Sequence, residues 1–315
     1  MNCYYPEGYL INQYENKLYF KSQAMLEEAM AEGRILEAKA TLCDNQHNLW
    51  VDLGCMKGKI SREEGAYGIT EGTVRDIALI TRVNKPICFV VIGFETDSNG
   101  NMIANLSRRI PQIQCIEQYL QNLKPGDIIP AKITHLEPFG AFADVGCGIP
   151  SLIPIDAISV SRISHPRDRF TTGMKIKAIV KSVDDYGRIS LSHKELLGTW
   201  EENARLFNSG ETVTGIVRSV ESYGIFVELT PNLAGLAEPK DDVYIGQQAS
   251  VYIKTLIPER MKVKLIIIDT MNLPSVPESP QYFIDANHID KWIYSPENCS
   301  KIIETDFNNI NNDSI

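Results

Sequence analysis

Apolar and polar positions mostly alternate along Lys175–Val183, where Ile176, Ala178, Val180 and Val183 carry the apolar side, and this two-residue period predicts a strand. Shorter apolar-rich segments at Ile128–Leu136, Phe139–Val145, Ser151–Ile155 and Arg188–Ser192 read the same way. The turn Asp184–Gly187 closes the last two segments into a hairpin. Helical spacing appears in three other places. Ser22 opens a helix that stops at Gly33, Pro111–Leu123 forms a second, and Thr199 with Glu202 has capping-box spacing for a third that runs to about Phe207. Gly33, Gly126 and Gly210 each precede a strand-rich segment, so the pattern predicts three barrels punctuated by helices. The longest apolar run, Ile87–Phe94, is far too short to span a bilayer and reads as a buried strand.

One segment occurs twice. His135–Val145 is repeated at an offset of 84 by Ser219–Leu229, and the offset also relates Gly126 to Gly210, Ile133 to Val217 and Leu152 to Leu236. A whole folding unit is therefore duplicated. Each copy holds an aromatic pair around a glycine: Phe139, Gly140 and Phe142 in one, Tyr223, Gly224 and Phe226 in the other. Residues three apart on a regular strand point to opposite faces, so a bulge or close bend at the glycine is expected to bring both rings to one side. Two rings on a solvated sheet face make a stacking platform for unpaired bases, each worth about 1 to 3 kcal/mol.

Composition narrows the class. The 315 residues are 43% hydrophobic and 23% charged, as in an ordinary soluble globular protein. The first residues lack the basic and apolar regions of a signal peptide. Seven cysteines with no Cys-X-X-Cys spacing argue against structural zinc and a disulfide framework, and predict buried free thiols in a reducing cytoplasm. The net charge of −9 is uneven: residues 124–198 carry +2, whereas 199–270 carry −3 and 271–315 carry −5. Phosphate attraction alone would hold a nucleic acid weakly, leaving stacking to supply a large share. Gly146–Gly148 opens no helix and is too short for a dinucleotide loop, and His165 lacks a partnering nucleophile or carboxylate pattern and reads as a loop-packing residue.

At the duplicated segments the chain resembles the bacterial ribosomal protein S1 family, in a short three-barrel form. The ordered motifs are Gly126–Asp127, the Phe139/Phe142 strand, Ser151–Asp156, His165–Gly173 with Phe170, and the closing Asp184–Ser192 with Arg188. The resemblance implies an all-β protein with connecting helices, built of tandem five-stranded OB-fold barrels. Its expected boundaries are a leader and helix over 1–32, a degenerate first barrel over 33–110, a linker helix over 111–123, a second barrel over 124–194, a linker helix over 195–209, a third barrel over 210–270, and a Pro-rich linker with an acidic tail over 271–315.

The same resemblance implies RNA contacts at Phe139, Phe142, Asp184 and Arg188, and at Tyr223 and Phe226, with Lys262 supplying a cation where the third unit loses its Asp-X-X-X-Arg pattern. The family's third-strand histidine is Pro154 here and Glu238 in the third unit. Phosphate contact is therefore expected to be poorer in the third barrel. Aligning Val51–Gly54 with Ala143–Gly146 puts His47 and Trp50 at the aromatic positions of the first barrel, whose role is read as docking or spacing. Asp184 and Arg188 also fit a hairpin ion pair. Tyr282–Tyr294 reads as a short helix or hairpin, Phe307–Ile315 as disordered, and a tail packed on a barrel stands beside a partner-binding tail.

The implied function is a cytoplasmic protein that holds single-stranded mRNA at the small ribosomal subunit, without a cofactor, metal, membrane or small-molecule substrate, and not an enzyme. A free RNA-binding regulator of translation or RNA stability is the alternative. An accessory subunit of a ribonuclease is a third reading, with no catalytic module left over once the barrels are assigned.

Overall fold

The computed structural model describes residues 4–184, 187–273, 277 and 279–309. Two compact units emerge, Met1–Leu123 with Asp144–Pro150, and Lys124–Ala143 with Ser151–Ile315. The first begins with helices α1 (Tyr14–Leu18) and α2 (Gln23–Glu32). The Ser22 side chain accepts the Met25 N–H, and Gly33 closes α2 in the left-handed region at φ 60°, a conformation a Cβ would strain. Strands β1 (Leu36–Cys43), β2 (Leu49–Asp52) and β3 (Lys57–Ile60), the short helix α3 (Ile77–Ile80), and strands β4 (Pro86–Thr96) and β5 (Met102–Ser107) follow. They close into a barrel in the order β1-β2-β3-β5-β4 around Leu49, Val51, Ile60, Ile87, Phe89 and Leu106.

Helix α4 (Arg109–Gln118) starts two residues before the expected Pro111 and ends five before Leu123. Proline lacks only an N–H that the first helical turn leaves unpaired, so the helix extends back past it. A 3-10 turn at Leu120–Asn122 completes the segment.

The second barrel contains β6 (Ile128–Glu137), β7 (Gly140–Asp144), β8 (Pro150–Pro154), β9 (Lys175–Val183) and β10 (Ile189–Ser192). Its closed order, β10-β8-β7-β6-β9, is the same cycle as the first. Residues 185 and 186 of the expected β9–β10 turn lie outside the described residues. Helix α5 (Trp200–Ala204) has both halves of the capping box, Glu202 N–H to Thr199 Oγ1 at 3.2 Å and Thr199 N–H to Glu202 Oε2 at 2.7 Å. It stops short of Phe207, because Leu206 and Phe207 bond three residues back in a tightened last turn.

The third barrel comprises β11 (Thr212–Glu221), β12 (Gly224–Thr230), β13 (Leu233–Ala237), β14 (Gln248–Ile257) and β15 (Lys262–Met271), closed as β11-β12-β13-β15-β14. Three closed five-stranded barrels joined by short helices give the expected OB-type, mostly β fold.

The tail is an integral part of the second unit. Strands β16 (Lys291–Ile293) and β17 (Glu304–Asp306) pair antiparallel, and Trp292 and Tyr294 are buried in the third-barrel core cluster. Phe307 is buried against Ile179 and Leu196. The expectation of disorder from Phe307 onward therefore fails at Phe307, whose ring has an apolar cleft to fill; residues 310–315 and part of the Pro-rich linker, at 274–276 and 278, lie outside the described residues. Among the six described cysteines, all free, Cys88, Cys115 and Cys147 are buried as expected, but Cys55 is exposed in the turn after β2; Cys3 lies outside the described residues.

Candidate nucleic-acid interface

The two aromatic pairs are alike, each an exposed ring against a half-buried one. Phe139 is 56% exposed and stands edge-on to half-buried Phe142, with centroids 6.0 Å apart and planes at 89°. Tyr223 is 65% exposed and meets Phe226 at 6.2 Å and 86°. Edge-to-face pairs are worth about 0.5 to 1.5 kcal/mol beyond their buried area, which fixes the second ring beneath the first.

Of the expected bulge or close bend, it is a close bend that brings the rings together, and it lies in the turn just before the glycine. Glu221 pairs with Gly224, so Ser222 and Tyr223 form the two-residue turn of the β11–β12 hairpin. Phe139 occupies the matching turn position before β7. The first ring of each pair is thus outside strand alternation. The glycine serves the neighbouring strand: a Cβ on Gly140 would lie 2.4 Å from the Ile153 carbonyl oxygen, and one on Gly224 would lie 2.6 Å from that of Ala237. Glycine lets the next backbone approach that closely.

Strand register extends the platform into a row. In the third barrel Ser219 pairs with Phe226, Phe226 with Leu236, Leu236 with Lys264, and Lys264 with Thr255. The corresponding residues of the second barrel are His135, Phe142, Leu152, Ser190 and Ser182; Ser190 pairs with both Leu152 and Ser182. His135 borders this row, its ring 6.4 Å from that of Phe142 and its Nε2 at 2.5 Å from Glu137 Oε1. The sequence signal for His135 was its place at the head of the repeated segment. Lys264 carried no such signal, because the repeat offset breaks where the loop after β13 shortens.

Asp184 and Arg188 stand at the end of the second row. Arg188 Nε donates to Asp184 Oδ2 at 2.6 Å, and its backbone N–H donates to Oδ1 at 2.8 Å. The pair closes the hairpin, with the Arg188 side chain 73% exposed. Lys262 precedes Lys264 by two residues as Arg188 precedes Ser190, so it occupies the same place in the third barrel.

The acid that ends each repeat, Asp144 or Glu228, points away from this role. Asp144 is buried in the first unit, where it accepts the N–H groups of Glu7, Gly146 and Gly148 at 2.7, 2.9 and 3.0 Å. Burial, reinforced by the nearby Glu7 charge, pushes its pKa up to about 7. Glu228 is buried in the second unit, holding Arg169 from the loop after β8 and Arg218 from β11; Arg218 also reaches Asp168 at 3.3 Å. Arg169, from a loop whose arginines the sequence left without assignment, is therefore a structural cation. Burial pulls its pKa down.

Residues 122–194 match the model of the S1 RNA binding domain. Over 275 residues the chain is 30% identical to small ribosomal subunit protein bS1 of Staphylococcus aureus strain COL, an alignment covering 82% of this chain and 68% of that protein. The small ribosomal subunit protein bS1 homolog of Bacillus subtilis strain 168 is 32% identical over 191 residues, covering 59% and 48%. A multidomain protein with nucleic acid binding domains from Streptococcus pneumoniae matches over 75% of this chain and 73% of its own at 13% identity, with a TM-score of 0.25. On the extent of the bS1 alignment, with the second barrel matching the domain model, the chain belongs to the bacterial bS1 family of small ribosomal subunit proteins.

Proposed function

We propose that the chain binds single-stranded RNA by stacking bases on Phe139 and Phe142 in the second barrel and on Tyr223 and Phe226 in the third. It holds mRNA at the small ribosomal subunit in the cytoplasm. The observation that carries this reading is the duplication of an exposed, edge-on aromatic pair at the head of a strand row that ends in cations. Every base has a π-face, so such a platform takes unpaired strands with little sequence preference, and it offers a base-paired duplex nothing to stack on. Two platforms on one chain raise the affinity of individually weak sites through effective concentration.

The test is a titration of the full chain against labelled single-stranded and duplex RNA, joined to sedimentation with 30S subunits in the presence of competitor RNA. Preference for the single strand and co-sedimentation are expected. Tighter duplex binding would overturn the stacking reading. Single-strand binding without co-sedimentation would favour a free RNA-binding regulator.

A further inference from the structure

The third barrel is the more acidic by composition, yet its strand row ends in more cations than that of the second barrel. Lys262 and Lys264 are both exposed on β15, where alternate residues share one face about 6.8 Å apart. The partner of Lys264 on β14 is Thr255, and the register slips between Ile253 and Thr255, leaving exposed Lys254 as the extra residue beside that pairing. Val251 and Ile253, which alternate with Tyr252 and Lys254 along β14, are buried, so Lys254 shares the outward face with Tyr252. Three ammonium groups therefore border the row of Phe226 and Leu236. Among the described residues none of the three forms an ion pair; Glu238, the nearest acid along β13, is exposed one position beyond Ala237, which pairs with Leu265.

The second barrel has less free charge at the same places. By register Lys181 matches Lys254, Arg188 matches Lys262 and Ser190 matches Lys264. Of these, Arg188 is bonded to Asp184, and Ser190 is uncharged. A phosphate arriving there competes with a carboxylate already in place, whereas the lysines of the third barrel give up only water.

We infer that Lys254, Lys262 and Lys264 form a phosphate-contacting edge of the third barrel, so that this barrel carries the larger salt-dependent share of RNA binding. The inference rests on the RNA-binding reading above and reverses the expectation that phosphate contact is poorer in the third barrel. Total charge is a poor guide to this edge: Glu228 is buried among arginines and Glu211 precedes the strands, while Glu221, Glu238, Asp241, Asp242, Glu259 and Asp269 are exposed and, among the described residues, none of them is ion-paired to the three lysines.

The experiment uses the full chain and a fluorescein-labelled twelve-nucleotide oligouridylate, with anisotropy titrations between 50 and 300 mM KCl. Neutralising three contacts at roughly 0.7 each should flatten the log–log salt slope of the K254Q/K262Q/K264Q variant by about 2 and weaken binding tenfold or more at the lowest salt. Arg188→Gln should flatten it by less than 0.7. An unchanged slope in the triple variant, with binding still lost on Phe139→Ala plus Phe142→Ala, would sink the inference and leave the stacking reading standing. An Arg188→Gln effect as large as that of the triple variant would also overturn it. If the wild-type chain fails to bind the probe, both readings fall together.

Discussion

The first and third barrels share one strand cycle and two of its register slips, yet their corresponding rows are differently engaged. In the first barrel the row runs Leu42, Trp50, Lys59, Asn105 and Gly93, with slips in β1 and β4 matching those in β11 and β14. Trp50 stands where Phe226 stands, and His47, three residues earlier, where Tyr223 stands, as the sequence alignment expected. The difference lies in their partners. Trp50 Nε1 donates to Asp44 at 3.0 Å, His47 lies 4.0 Å from Asp76, and Lys59 pairs with Glu95, which also accepts from Asn105. The third row has an exposed Tyr223, a leucine and an unpaired lysine in the same places. A barrel keeps its fold through inward residues, and what its outward residues already hold sets how much of the row is open to a ligand.

The braces on the two units differ in the same spirit. The first is tied to its N-terminal segment by buried carboxylates: Glu37 accepts the N–H groups of Gly8, Leu10 and Ile11 at 2.9 to 3.0 Å, and Glu7 bonds Arg108 at 2.7 Å. The second is braced by aromatic side chains of its tail. Trp292→Ala should therefore cost about 3 to 5 kcal/mol of stability, the usual range for emptying a buried aromatic site. Calorimetry should show a lowered transition for the second unit, with the first-unit transition in place. A melting profile that shifts as a whole, or not at all, would show that the tail does not brace the second unit selectively.

Next in size is the contrast between stacking faces. Phe139→Ala plus Phe142→Ala should remove at least about 2 kcal/mol of RNA affinity if each ring holds one base at about 1 to 3 kcal/mol, while Trp50→Ala changes it by less than threefold. Anisotropy titrations give both numbers, and circular dichroism checks that the barrels stay folded. Equal losses from the two variants would erase the distinction between the rows.

A smaller effect follows from the carboxylates. Burial, opposed by three backbone N–H bonds, lifts the Glu37 pKa to about 7, and Asp144 rises to about the same value. Unfolded carboxyls titrate near 4, so between about pH 4 and 7 the folded chain holds the extra protons. Stability of the first unit must then fall as pH rises through that window and level off above it. Glu37→Gln should flatten the dependence, read as hydrogen-exchange protection of the Gly8, Leu10 and Ile11 amides. The second unit has a group of opposite tendency. Hydrogen bonding to Asp127 raises the pKa of His288, so its contribution is complete below about pH 6.5 and fades as pH rises through the shifted value.

The strands, the caps at Ser22 and Thr199 and the paired rings were legible because each rests on a local rule: alternation, a hydroxyl three residues from an N–H, a motif at a fixed offset. The rest depends on distant segments. Only the backbone of β13 shows why Gly224 lacks a side chain, only the arginines around Glu228 show that a repeated acid is an anchor, and only the register of β13 with β15 brings Lys264 beside Leu236. Phe307 looked disordered because its Asn-rich surroundings hide the cleft it fills.

The finest test of the comparison is to release the first row. If Trp50 and Lys59 are idle because Asp44 and Glu95 hold them, then Asp44→Asn plus Glu95→Gln should free the ammonium and weaken the acceptor bound to the indole. Exposed ion pairs are worth only about 0 to 1 kcal/mol, so the gain in RNA affinity should be no more than about fivefold. Asp44 also accepts the N–H groups of Gln46 and Asn48 at 2.9 Å, which holds the β1–β2 turn; the single Glu95→Gln change isolates the lysine from any loss of turn geometry. A small gain in both variants, abolished by adding Trp50→Ala, would show that a dormant platform lies under the ion pairs. No gain in either would mean that the first barrel lacks more than free partners, such as an exposed turn aromatic at the place of His47.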